Sequence, residues 1–105
     1  EHQMKEKVIS LLSHNQRIVS PFDLGVAHLP LLSTTETIAC LNERVKALDK
    51  TIEHIRAHRI QHEKIKKPYF LLALSDRALV HLCAEKSWVE KFIMEVNQHV
   101  RTVTS

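Results

Sequence analysis

The sequence predicts an all-α fold, in which short N-terminal helices precede a long antiparallel helical hairpin that forms a dimer. Only one Gly and three Pro occur in 105 residues, too few for the many turns of a sheet protein. Apolar residues recur at steps of three and four from Ile38 to Ile55, which is the spacing of one helix face. A second long apolar pattern follows after a single short break at Pro68.

The composition is that of a globular chain with a modest core. Apolar residues make up 44% and charged residues 26%, and no apolar run approaches the ~20 residues that cross a bilayer. Cys40 and Cys83 stand in no metal or redox spacing, so we expect reduced, buried thiols of a cytosolic protein, with a disulfide between them as the alternative. The net charge of +3 comes mainly from Arg56 to Lys67. That segment lacks the scaffold of a nucleic-acid-binding module.

The N-terminal part predicts two short helices. Residues 2–14 form an amphipathic pattern, and residues 15–19 are expected to be a linker, so 1–19 is predicted to be a connecting helix and linker. Ser20 is a typical N-cap, with Pro21 at the first helical position and Asp23 near the positive end of the helix. Pro30 is expected to kink or end this second helix.

A long helix is predicted from Ser33 to Lys67. Ser33 and Glu36 have the spacing of a capping box, and Pro68 marks the end. The residues expected in the core of the hairpin are Ile38, Leu41, Val45, Leu48 and Ile52. Beyond Ile55 the heptad pattern fails, because Arg59 and His62 occupy the next two positions.

The last helix is predicted from about Pro68 to Val103, with an apolar face wider than a single stripe. Because only a short break precedes it, it should pack antiparallel against the long helix. A hairpin buries one side of each helix, so the surplus apolar surface predicts a homodimer. The side chains expected between the two chains are Trp88, Val89, Phe92 and Val96.

Few residues in this chain have a pattern typical of a catalytic or cofactor site. His54, His58 and His62 follow one another at steps of one helical turn, and two imidazoles one turn apart can chelate zinc or nickel. No further ligand has a fixed spacing, so we expect a solvated polar face and predict no metal. Glycine-rich phosphate loops are absent and loops are few, so neither enzymatic activity nor a cofactor is expected. Phe22, Trp88 and Phe92 are candidates for an apolar pocket near the dimer interface. For Trp88, Phe92 and Tyr69, packing in the core or the interface is the favoured interpretation, and the pocket is the alternative.

The order of these motifs resembles the C-terminal domain of PadR-type bacterial transcription regulators. The resemblance covers roughly residues 20 to 96. It rests on Ser20-Pro21-Phe22-Asp23, Leu29-Pro30-Leu31-Leu32, Ser33-x-x-Glu36, Leu41-x-x-Arg44-x-x-x-Leu48 and Glu85-x-x-Trp88. Residues 1–15 resemble the helix that follows the winged DNA-binding domain in that family.

The resemblance implies that residues 20–105 are a helical dimerisation and effector domain of a cytoplasmic bacterial regulator. Family members are typically repressors, and some release DNA when a small aromatic effector binds at or near the dimer interface. These 105 residues contain no winged helix, so we expect DNA contact only through such a domain in a longer protein, and we expect no membrane partner. Two other interpretations stay open, a helical coiled-coil adaptor unrelated to transcription and a histidine-lined metal sensor.

Overall fold

The computed structural model describes the backbone of residues 2–15 and 20–104, and the side chains as far as His99. Every regular element within these ranges is helical. The four α-helices are α1 (His2–Ser13), α2 (Pro21–Ala27), α3 (Thr34–Lys64) and α4 (Tyr69–Thr104), and a 3₁₀ turn covers Leu29–Leu31. The prediction of short helices followed by a long helical hairpin is therefore confirmed. The predicted linker falls largely on residues 16–19, outside the described part.

The chain divides into two compact units, Glu1–Leu31 and Leu32–Ser105, so α2 belongs to the first unit. In that unit α1 has no buried residue. The α2 helix starts at a complete capping box, in which the Asp23 amide donates to Ser20 Oγ at 3.4 Å and the Ser20 amide donates to Asp23 Oδ2 at 3.1 Å. Pro30 lies in the 3₁₀ turn after the end of α2, as its missing N–H and fixed φ favour.

The second unit consists of α3 and α4, which pack against each other along much of their length. At the start of α3 the predicted capping box is present: the Glu36 amide donates to Ser33 Oγ at 3.1 Å, and the Ser33 amide donates to Glu36 Oε1 at 2.9 Å. These hydrogen bonds, first of all the one from the Ser33 backbone, hold the pKa of Glu36 below its ordinary value, because they favour the carboxylate. This start of α3 follows from four consecutive residues of sequence.

The turn between α3 and α4 is a Schellman motif. Helix α3 ends at Lys64, Ile65 is its C-cap, and Lys66 has the left-handed φ of 57°. The Lys67 amide donates to the His62 carbonyl at 3.0 Å, and the Lys66 amide donates to the Glu63 carbonyl at 3.1 Å. Glycine is the usual residue at the left-handed position, because any side chain strains it. In this chain a lysine occupies it.

The two cysteines are reduced, as expected, but differ from the expectation in their burial. Both are free thiols, and both are exposed, not buried. Cys40 precedes the buried Leu41 by one residue, a helical step of about 100°, and Cys83 follows the half-buried Leu82 by one. Each therefore lies on the flank of its helix, outside the packed stripe.

Candidate interaction surface

The hairpin has a small buried core, so many of its apolar side chains remain on the surface. The buried apolar side chains are Leu41, Leu48 and Ile52 of α3 and Val89 of α4. Ile38 and Val45, the other two residues predicted for the hairpin core, are half-buried. The buried side chains of α3 follow the spacing of a heptad seam, and Val89 is the α4 side chain with no accessible surface.

Three ion pairs between α3 and α4 fix the register of the hairpin. Lys86 Nζ lies 2.6 Å from Asp49 Oδ1, Arg59 Nε lies 2.8 Å from Asp76 Oδ1, and Arg44 Nε lies 3.8 Å from Glu85 Oε1. The middle of α3 thus meets residues 85 and 86, while its end meets Asp76 near the start of α4, as an antiparallel pair requires.

Two of these ion pairs stabilise the charged form of a basic side chain. The hydrogen bond to Asp49 raises the pKa of Lys86, and the hydrogen bond to Asp76 raises the pKa of Arg59. Arg59 also donates from Nη1 to Glu63 Oε2 at 2.8 Å. Arg59 therefore continues the contact between the helices where the apolar heptad pattern ends.

Helix α4 carries more large apolar surface than α3 covers. Its exposed large apolar side chains are Tyr69, Phe70, Leu74, Val80, Trp88 and Met94. Phe70, Leu74 and Trp88 share one side of α4, because spacings of 4 and 14 residues are about one and four helical turns. We call these three residues the α4 stripe. Their exposed fractions are 58%, 62% and 46%.

The residues predicted to contact a second chain do not all lie on the surface. Trp88 stacks on Phe92, with ring centroids 4.9 Å apart and an interplanar angle of 19°. Phe92 and Val96 are half-buried, whereas Val89 is 0% exposed. Val89 therefore belongs to the core of the hairpin and has no surface left for a partner, while the other three keep some.

Two residues of the predicted aromatic pocket lie on α4, and the third lies on α2. Trp88 and Phe92 are in contact, and Phe22 lies half-buried on α2 in the first unit. A groove of about 500 Å³ lies elsewhere on the hairpin, lined by Asp49, Ile52, Glu53, Arg56, Cys83, Lys86, Ser87 and Glu90. Lys86 and Glu90 are each two residues from Trp88, and residues two apart lie on opposite sides of a helix. The groove is thus on the charged flank, away from the aromatic pair.

The histidine stripe on α3 is a set of neighbouring rings. The centroids of His54 and His58 are 4.5 Å apart, and those of His58 and His62 are 5.7 Å apart. Among residues 2–15 and 20–104, no group of three or more His, Cys, Asp or Glu side chains could hold a metal ion. In the same part of the chain, no helix is long and apolar enough to cross a membrane.

The turn of the hairpin has a surface that the sequence argument did not single out. Ile65, Tyr69 and Phe70 are 65%, 83% and 58% exposed, and the same turn contains three exposed lysines. The signal in the sequence is Lys64-Ile65-Lys66-Lys67-Pro68-Tyr69-Phe70, in which bulky apolar residues occur inside a basic turn.

The chain matches no family model, no curated protein and no solved structure. The resemblance to PadR-type regulators therefore rests on the sequence motifs between Ser20 and Trp88 alone.

Proposed function

We propose that this chain is the homodimerisation domain of a PadR-type transcription regulator. The observation that carries the proposal is the α4 stripe, Phe70, Leu74 and Trp88, which α3 leaves exposed along one side of the hairpin. Large exposed apolar side chains on one side of a helix are typical of protein–protein contacts, and Arg77 and His81 separate Leu74 from Trp88 on that side. The order of motifs from Ser20 to Trp88 supports the choice of family.

The dimensions of the hairpin suit this role. A helix of 36 residues is about 54 Å long. Two such helices side by side offer enough length for an interface of the standard ~1,600 Å². Trp88 is the strongest candidate for a hot spot of the interface, since tryptophan is enriched among the residues that contribute most to binding energy.

The mechanism would be geometric. Two hairpins joined along α4 hold two DNA-binding domains at a set distance, and that distance selects the separation of half-sites on DNA. A small aromatic effector beside Trp88 and Phe92 would act through a difference in its affinity for DNA-competent and incompetent spacings. The DNA-binding domains themselves would be supplied by other parts of a longer protein.

The test of dimerisation is sedimentation equilibrium across a concentration series. We expect the wild-type chain of 12.2 kDa to form a dimer, and Trp88→Ala to raise the dissociation constant at least ~10-fold. Met94→Ala is the matched control, because Met94 is 62% exposed but six residues, about 240° around the helix, from Trp88. A wild-type monomer at 100 μM, or equal effects of both variants, would contradict the proposal.

A second test separates a regulator from a helical adaptor. The DNA sequence upstream of the codon for Glu1 should encode a winged helix-turn-helix if the parent protein is a PadR-type regulator. A coding sequence there without such a motif would favour the adaptor, even if the hairpin dimerises.

A further inference from the structure

The turn of the hairpin, residues 64–70, combines positive charge with exposed apolar side chains, and we call it the hairpin tip. All seven residues are exposed. The side chains that carry its chemistry are Lys64, Lys66, Lys67, Ile65, Tyr69 and Phe70.

The positive charge of the tip is not neutralised nearby. From residue 64 to residue 75 the chain has no Asp or Glu. The flanking acids, Glu63 and Asp76, both pair with Arg59 at 2.8 Å. None of the ion pairs within the described ranges involves the three lysines of the tip. The three lysine ammonium groups of the tip are thus available to an anionic binding partner.

One of these cations is kept at a conformational cost. Lys66 has a φ of 57°, at the position of a Schellman motif where glycine or asparagine is favoured. A glycine would relieve the strain and lose the charge. The structure therefore places an exposed charged side chain at the left-handed position of the turn, where local geometry favours glycine.

The apolar residues of the tip are also turned outward. Tyr69 and Phe70 contact each other edge to face, with centroids 5.7 Å apart, yet most of the surface of Tyr69 stays accessible. Ile65, on the other side of Pro68 in the sequence, is 65% exposed. Neither ring is used to close the turn, which is held by backbone hydrogen bonds.

We propose that the hairpin tip docks on an anionic lipid surface. Lysines near such a surface are attracted by acidic headgroups, tyrosine favours the membrane interface, and Ile65 and Phe70 can enter the boundary with the acyl chains. Duplex DNA would use the lysines but has no equivalent use for the exposed Ile65 and Phe70. The contact lies on the surface of a bilayer and needs no spanning helix. It differs from the expectation of no membrane partner. It shares Phe70 with the α4 stripe, but the three lysines, Ile65 and Tyr69 of the tip lie outside that stripe.

The first test is flotation of the full chain with vesicles of phosphatidylcholine and 30% phosphatidylserine. Each lysine near the surface is worth about a fivefold change in partition. The variant Lys64→Gln, Lys66→Gln, Lys67→Gln should therefore weaken binding about 100-fold. The matched control is Lys46→Gln, Lys50→Gln, Lys91→Gln. It removes the same charge from exposed lysines outside the tip and should change partition less than about threefold.

Several outcomes would overturn the proposal. A wild-type chain that does not bind the anionic vesicles would overturn it, and so would equally strong binding to pure phosphatidylcholine. Equal losses in the two triple variants would mean that net charge alone, and not the tip, is responsible. Retention on duplex DNA at 150 mM salt without vesicle binding would assign the lysines to phosphate contacts instead.

The second test asks whether the apolar side chains enter the lipid. Tyr69→Trp in a Trp88→Phe background places the sole tryptophan at the tip, and its emission should shift to the blue on adding anionic vesicles. Val80→Trp in the same background is the control, because Val80 is 68% exposed but lies outside the tip. An unchanged spectrum at position 69, or an equal shift at position 80, would overturn the proposal.

Discussion

Replacing Val89 by Ala tests the core of the hairpin most directly. Val89 has no accessible surface, whereas Val80 on the same helix is 68% exposed. The two substitutions remove the same atoms from α4 and change the same helix propensity. Their difference in unfolding free energy therefore reports burial alone.

The magnitude follows from the buried atoms. Losing two methyl-sized groups from a fully buried site costs about 1.6 kcal/mol of transfer free energy. An uncollapsed cavity of roughly 50 Å³ adds about 1.2 kcal/mol. The better helix propensity of alanine returns about 0.5 kcal/mol in both variants. We expect Val89→Ala to destabilise the chain by about 2 kcal/mol, and Val80→Ala to be neutral or slightly stabilising.

The assay is urea unfolding followed by circular dichroism at 222 nm, at two protein concentrations tenfold apart. A core residue within one chain should lower stability by the same amount at both concentrations. If Val89 instead contacted a second chain, the loss would depend on concentration, because dimer stability depends on it. A difference between the variants below about 0.5 kcal/mol would refute the assignment of Val89 to the core.

Three further predictions concern the ends of α3. Lys66→Gly should stabilise the chain by about 1 kcal/mol in urea unfolding, since it relieves the left-handed φ, whereas Lys67→Gly should give no gain. Ser33→Ala should lower the free energy of unfolding by about 1 kcal/mol through loss of the N-cap. Ser87→Ala, at an exposed position within α4, should lower it less. Because the pKa of Glu36 is lowered on folding, its stabilisation is complete above the ordinary glutamate pKa and disappears as pH falls through the lowered one. Glu36→Gln should therefore make stability less dependent on acid pH, and an unchanged pH profile would contradict this.

The interaction surface could be predicted only in part. The wide apolar face of α4 is visible in the sequence, and so is the proximity of Trp88 and Phe92, which are one turn apart. Their neighbour Val89 cannot be distinguished by hydropathy, since all three are apolar and fall within the same wide face. Only packing against α3 shows that Val89 is covered and that Trp88 stays 46% exposed.

The hairpin tip was missed for a different reason. The basic segment is plain in the sequence, but a run of lysines at the end of a helix is usually a solvated face. The exposure of Ile65 and Tyr69 depends on how the turn closes, and the left-handed conformation of Lys66 is unusual for its residue type.

The sequence by itself determined the helices and their starts, because capping depends on residues within one turn of each other. Ser33 and Glu36 form the capping box that their spacing predicts, and Ser20, predicted as an N-cap, forms a capping box with Asp23. The tertiary structure alone decided which part of each apolar face is buried and which residues pair across the hairpin. The contact of Arg59 with Asp76 joins residues 17 apart, and it depends on the register of two helices that no local pattern specifies. Burial is a property of the packed pair, so it cannot be assigned to either helix before they meet.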